Sequence, residues 1–117
     1  MKIDIRAKKT LAALEAEEAS LRARLVAVLP SVARDGAQLF TNSTNSVGEI
    51  ARYRHADADA LFASAEACVE LRESLGLVGE GEVAGYFLAA CREAASADPH
   101  RRGPRKLAKW LLAKLKP

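Results

Sequence analysis

Residues 11–28 read LAALEAEEASLRARLVAV. Leu11, Leu14, Leu21, Leu25 and Val28 recur at alternating steps of three and four, with Glu18 at the one missing step. Such steps place side chains on a single stripe of an α-helix, and three heptads of stripe demand an apolar partner. The opposite face carries Glu15, Glu17, Arg22 and Arg24, and Glu18–Arg22 stand at i,i+4 in the favourable order. The stripe fits a helix packed inside its own bundle, or a coiled-coil seam between two chains. Thr10 reads as the N-cap, although the basic segment before it is also compatible with helix.

Downstream, Pro30 disfavours helical conformation at Leu29 and so ends or kinks this helix. Val32, Gly36 or Ala37, Leu39 and Phe40 resume helical spacing, which predicts a kinked continuation to about Phe40. The TNSTNS stretch at 41–46 breaks the chain, because every one of these side chains can bond its own local backbone. Ser46 and Glu49 form a capping box. It predicts a long, Ala-rich central helix from 46 to about Leu75, stopped by Gly76 as a left-handed cap. Glu80 and Glu82 open a further helix with an apolar stripe of Val83, Phe87, Ala90, Cys91 and Ala94, closed by Asp98-Pro99. Pro104 suits the first position of a last helix.

No β pattern and no internal repeat appears. The reading is therefore an all-α fold: an antiparallel bundle of four or five helices, in a single domain over 1–117. The chain is 50% hydrophobic but only 5% aromatic, so its core must come from Leu, Val and Ala, which favours close helix contact over a sheet. No apolar run reaches the roughly 20 residues that span a bilayer. The charged start MKIDIRAKKT is not followed by a signal-peptide core, so a cytoplasmic location is expected. Cys68 and Cys91 lack CxxC spacing and read as free buried thiols.

The net charge of +3 hides a strong asymmetry. Residues 100–117 carry Arg101, Arg102, Arg105, Lys106, Lys109, Lys114 and Lys116 and no acid. The first ten residues carry Lys2, Arg6, Lys8 and Lys9 against Asp4, while the stretch between holds fourteen acids and seven bases. An acidic body with basic ends suggests a docking surface for a polyanion, or contact between opposite charges on two molecules.

At about 100° per residue, Leu107, Ala108, Trp110, Leu111, Leu112 and Leu115 form a wide apolar arc, with Lys114 inside its edge. Arg105, Lys106, Lys109 and Lys116 lie opposite. The arc is broad enough to complete a core while showing phosphates a basic face. Docking in a partner's groove and lying on an anionic membrane surface are the competing uses. A second cluster, RYRHADAD at 52–59, offers Arg52, Tyr53 and Arg54 for nucleic acid, with Tyr stacking a base and Arg binding phosphate. His55 and Asp59 share a helical face there, but two ligands do not make a metal site, and Glu66 lies too far along to help. No phosphate loop, zinc motif or nucleophile-and-base context is present, so neither catalysis nor a metal or cofactor is expected.

LRESLGLVGEGEVAGY at 71–86, followed by KLAKWLLAKLK at 106–116, resembles the four-helix-bundle family that includes ribosomal-RNA intervening-sequence proteins and accessory variability determinants of retroelements. There a long helix closes on an LGL turn, an acidic start opens the next helix, and the chain ends on an apolar-basic segment. Leu75, Gly76, Leu77, Glu80, Glu82, Leu107, Trp110 and Leu111 carry the resemblance. The first half lacks the family's polar turn, and ADPHRRG at 97–103 departs from it. The resemblance implies an antiparallel bundle, a homo-oligomer, and a basic surface for RNA, DNA or a polymerase. The functional expectation is a non-catalytic adaptor that engages nucleic acid, or a protein that handles it, through Arg52, Tyr53, Arg54, Arg101, Arg102, Arg105, Lys106 and Lys109. The alternative is a protein–protein module, a phage or mobile-element inhibitor or scaffold, that binds no nucleic acid.

Overall fold

The computed structural model describes residues 5–41 and 54–116. Four helices lie among them: α1 (Ile5–Asp35), α2 (Ala58–Ser74), α3 (Glu82–Ala95) and α4 (Pro104–Leu115). No strand occurs among the described residues; a single bridge joins Gln38 to Arg54. The capping box, the TNSTNS break beyond Thr41, and Arg52 and Tyr53 lie outside the described residues.

The stripe in α1 buries Leu14, Leu21, Leu25, Leu29 and Val32. Leu11 stays 44% exposed, so the seam begins one step later than its spacing predicts. Thr10 is no cap, since the helix begins at Ile5 and the Thr10 hydroxyl donates to the Arg6 carbonyl at 2.8 Å. Pro30 does not end the helix. It sits on the exposed face with Val26, whose carbonyl it deprives of a donor and leaves towards water.

The predicted continuation to Phe40 fails at Gly36. This residue takes φ 78° and donates its N–H to the Val32 carbonyl at 2.8 Å, a left-handed cap. Leu39 and Phe40 are buried all the same, as part of an extended segment that folds back onto the core. Phe40 packs on Phe87 of α3, with ring centroids 5.9 Å apart.

The predicted long helix is also overturned in its described part, because Arg54–Asp57 are not helical. The His55 N–H donates to the Gln38 carbonyl at 3.0 Å, the Ala58 N–H to the His55 carbonyl at 3.1 Å, and the Asp57 N–H to His55 Nδ1 at 3.0 Å. These bonds satisfy the backbone in a turn that braces the segment after α1. Nor is this helix the central one. α1 contacts α2, α3 and α4, whereas α2 and α4 do not meet. Gly76 does close α2 as expected, with φ 69°. The Gly76 N–H reaches the Glu73 carbonyl and the Leu77 N–H reaches the Arg72 carbonyl, both at 3.0 Å, in a Schellman motif.

One core draws on every helix. Val83, Ala84, Phe87, Ala90 and Cys91 of α3 and Leu107, Ala108, Leu111 and Leu115 of α4 close over the α1 stripe, with Leu61, Ala65 and Cys68 from α2. Both thiols are free and buried. Burial pushes Cys68 up to about 11 and Cys91 to about 12, which keeps them protonated at neutral pH.

Gly81 makes a sharp test of this packing. It precedes α3 with φ 83° and ψ 164°, a conformation essentially confined to glycine. A Cβ there would lie 2.9 Å from Glu18 Oε2 and 3.3 Å from Arg72 Cδ. Gly81→Ala should lower stability by about 1–3 kcal/mol in denaturant melts. Gly79→Ala, also at positive φ but with nothing near the new Cβ, should lose less.

Candidate nucleic-acid interface

α4 divides its residues as its periodicity requires. Leu107, Ala108, Leu111 and Leu115 are buried, Trp110 and Leu112 half-buried, and Arg105, Lys106, Lys109, Lys114 and Lys116 exposed. Its first turn holds no acid and no side chain caps its N-terminus. The cations follow from the apolar arc: once Leu faces the core, the positions between must face water.

Those cations do different work. Arg102 is held by Glu93 at the end of α3. Its Nη2 and Nε donate to the two carboxylate oxygens at 2.7 and 2.9 Å, and its backbone N–H adds a third bond at 2.8 Å. The guanidinium also lies 5.0 Å from the centre of the Trp110 ring. The resulting fork ties the link before α4 to α3 and Trp110. Arg105 runs across Gly36, 3.1 Å from where a Cβ would stand, and donates to the Arg34 and Asp35 carbonyls at 3.2 Å. It thus satisfies two of the orphan carbonyls at the α1 C-terminus, where a cation also suits the dipole. Arg54 is half-buried and pairs with Asp59 at 3.6 Å.

Arg101, Lys106 and Lys109 remain as exposed cations, Arg101 with one bond from Nη1 to the Asp98 carbonyl at 3.2 Å. Lys106 and Lys109, at i,i+3, share a face of α4. Lys114 takes a position that its place in the apolar arc left unexplained. Its ammonium sits 5.7 Å from the Tyr86 ring and 6.0 Å from the Trp110 ring, which themselves meet edge-on at 6.0 Å. Sequence spacing could not signal the Arg102–Glu93 fork, because the two residues belong to different elements and meet only when α4 folds back.

The two basic ends of the sequence do not converge. Arg105 lies at the α1 C-terminus, and Arg22 of α1 donates to the Leu115 carbonyl at the other end of α4. Lys8 and Lys9 lie beyond that, in the first turns of α1, where nothing before Leu14 is buried. At 1.5 Å per residue, Lys9 is roughly 38 Å along the helix from Arg34.

His55 and Asp59 no longer form a helical i,i+4 pair, since His55 precedes α2. Among the described residues no cluster of three or more His, Cys, Asp or Glu could hold a metal ion. No described helix is long and apolar enough to cross a membrane. No known family model matches this chain, and no curated protein or solved structure does either.

The fork has a pH signature. Hydrogen bonds from Arg102, first through its side chain and then through its backbone, hold the Glu93 carboxyl down to about 2. A depressed carboxyl pKa stabilises the fold above its unfolded value, near 4.3, and that stability is lost as pH falls towards the folded value. Glu93→Gln should therefore cost about 1 kcal/mol at pH 7, a figure kept small because the pair is partly in water. The gap to the parent protein should close between pH 5 and pH 2, as thermal melts across that range would show.

Proposed function

We propose that this protein is a non-catalytic helical adaptor that engages nucleic acid, or a protein that handles it, through the outer face of α4 and the segment before it. The observation that carries this reading is the sorting of α4: its apolar arc is consumed by the core, while Arg101, Lys106, Lys109 and Lys116 face solvent in a stretch without an acid. Cations fixed on a rigid helix, with their apolar neighbours buried, suit phosphate better than lipid. A membrane-surface helix would need Leu107 and Leu111 for the acyl boundary, and both are fully buried. In this reading Arg102 and Arg105 are the frame that fixes α4, and Arg101, Lys106 and Lys109 touch the ligand.

The helices alternate in direction in this proposal, as an antiparallel bundle. Support comes from Arg105 meeting the end of α1 while Arg22 meets the end of α4, and from Glu93, late in α3, meeting Arg102 just before α4. A cytoplasmic setting agrees with two free, buried, protonated thiols. The purified chain should bind RNA or DNA with an affinity that falls linearly on a log–log salt plot. Absence of binding to either at low salt would overturn the reading and leave the protein–protein module in its place.

A further inference from the structure

A groove between α2 and α3 has a chemistry opposite to that of α4. Its floor is Phe62, Val69 and Leu88, and its rim is Glu66, Glu70, Glu73 and Glu80, enclosing about 230 Å³. Glu80 is already committed to Arg92, by bonds of 3.1 and 3.2 Å. Among the described residues Glu66, Glu70 and Glu73 make no ion pair and are exposed. Three carboxylates along one side of an apolar trough are repelled by one another and by any acidic partner. They favour a cationic helix with apolar side chains to set on the floor.

The same chain carries such a helix. The first turns of α1 project Ile5, 68% exposed, and Leu11, 44% exposed, with Lys8 and Lys9 between them. At about 100° per residue, Ile5, Lys8, Lys9 and Ala12 share the face turned away from the buried Leu14, with Leu11 at its border. That segment cannot fold back into the groove of its own chain, since it belongs to one continuous helix, Ile5–Asp35. It leaves the bundle at the end where Glu73 closes α2 and Gly81, beside Glu18, opens α3. Two copies set end to end would therefore bring each projecting segment to the groove of the other.

We propose that this groove receives the first turns of α1 from a second copy of the chain. Ile5 and Ala12 lie over Phe62, Val69 and Leu88, while Lys8 and Lys9, one on either side of them, meet Glu70 and Glu73. Exchange in both directions closes the assembly as a two-fold dimer with no free groove left over. The N-terminal basic segment then serves self-association, independently of the α4 face and of whether that face binds nucleic acid.

Sedimentation equilibrium of the full chain tests this across protein concentration, at low salt and at 0.5 M salt, the latter roughly where screening becomes short-ranged. A dimer is expected, weaker at high salt. K8E/K9E and E70K/E73K should each weaken it tenfold or more, and an equimolar mixture of the two variants should recover a dimer by pairing restored charges. All four positions are exposed, so unchanged circular dichroism and melting would show that the fold is kept. A monomer at every concentration, a dimer indifferent to either variant, or no recovery on mixing would each overturn the proposal. Polyanion binding by the same samples reports on α4 separately.

Discussion

Phe87→Ala should cost the protein about 3–5 kcal/mol, the usual penalty for emptying a buried phenylalanine site. Total stability for a domain of this size is about 5–15 kcal/mol, so the variant would lose a large share of it and melt well over 10 °C lower. The expectation is high because of what Phe87 touches. It is fully buried, sits on the inner face of α3, and packs on Phe40, itself fully buried in the segment that follows α1. Losing the ring loosens α3 and the return of the chain after Gly36 together. Phe40→Ala should cost a similar amount. In a double-mutant cycle the pair should show a coupling of about 0.5–1.5 kcal/mol, the extra attraction between tilted rings. Urea melts of the four proteins supply every number. A loss below 1 kcal/mol for Phe87→Ala would mean that the ring does not occupy the core.

The parts of this fold legible in the sequence are those where a regular period survives packing. The α1 stripe, the α3 stripe and the apolar arc of α4 each repeat over several turns, and each is buried nearly where its spacing places it. Gly76 was legible too, since a glycine after a periodic run with no room to continue has one natural use. Gly36 was not, for it sits inside spacing that Val32, Leu39 and Phe40 carry on in register. Periodicity cannot tell a helix that continues from a chain that leaves the helix and returns its apolar side chains to the same core. Arg54–Asp57 failed for a related reason. The cluster is polar and charged, which suits an exposed helical face, and only the Gln38 carbonyl, remote in sequence, draws it into a turn. Past Pro30 the helix continues, as the spacing of Val32 predicts, because a proline on the solvent side deprives only a carbonyl that water can satisfy.

The candidate site was legible as composition and not as roles. Seven bases after His100 are visible to any reader of the chain, but their division into framework and free charge depends on partners in other elements. Arg102 needs Glu93 and Trp110, Arg105 needs the end of α1, and Lys114 needs Tyr86. Replacing Arg101, Arg102, Arg105, Lys106 and Lys109 together is expected from sequence to leave the fold intact. The structure predicts otherwise, because two of the five hold α4 in place.

Arg101, Lys106 and Lys109 are the set to change. The triple variant R101S/K106S/K109S should keep its melting temperature and lose polyanion binding on the order of 10²–10³-fold near 0.1 M salt, if each cation neutralises one phosphate. Its log–log salt slope should flatten by about 2.7 on duplex DNA, or about 2 on a single strand, because three fewer counterions are released. Arg102→Ser should behave in the opposite way. Its guanidinium is occupied by Glu93 and Trp110, so stability should drop while the salt slope of the folded fraction stays near that of the parent. The two variants thus separate losing a ligand contact from losing the helix that presents it. A triple variant that bound RNA and DNA as tightly as the parent would remove α4 from the interface, since none of these three side chains has another role large enough to hide behind.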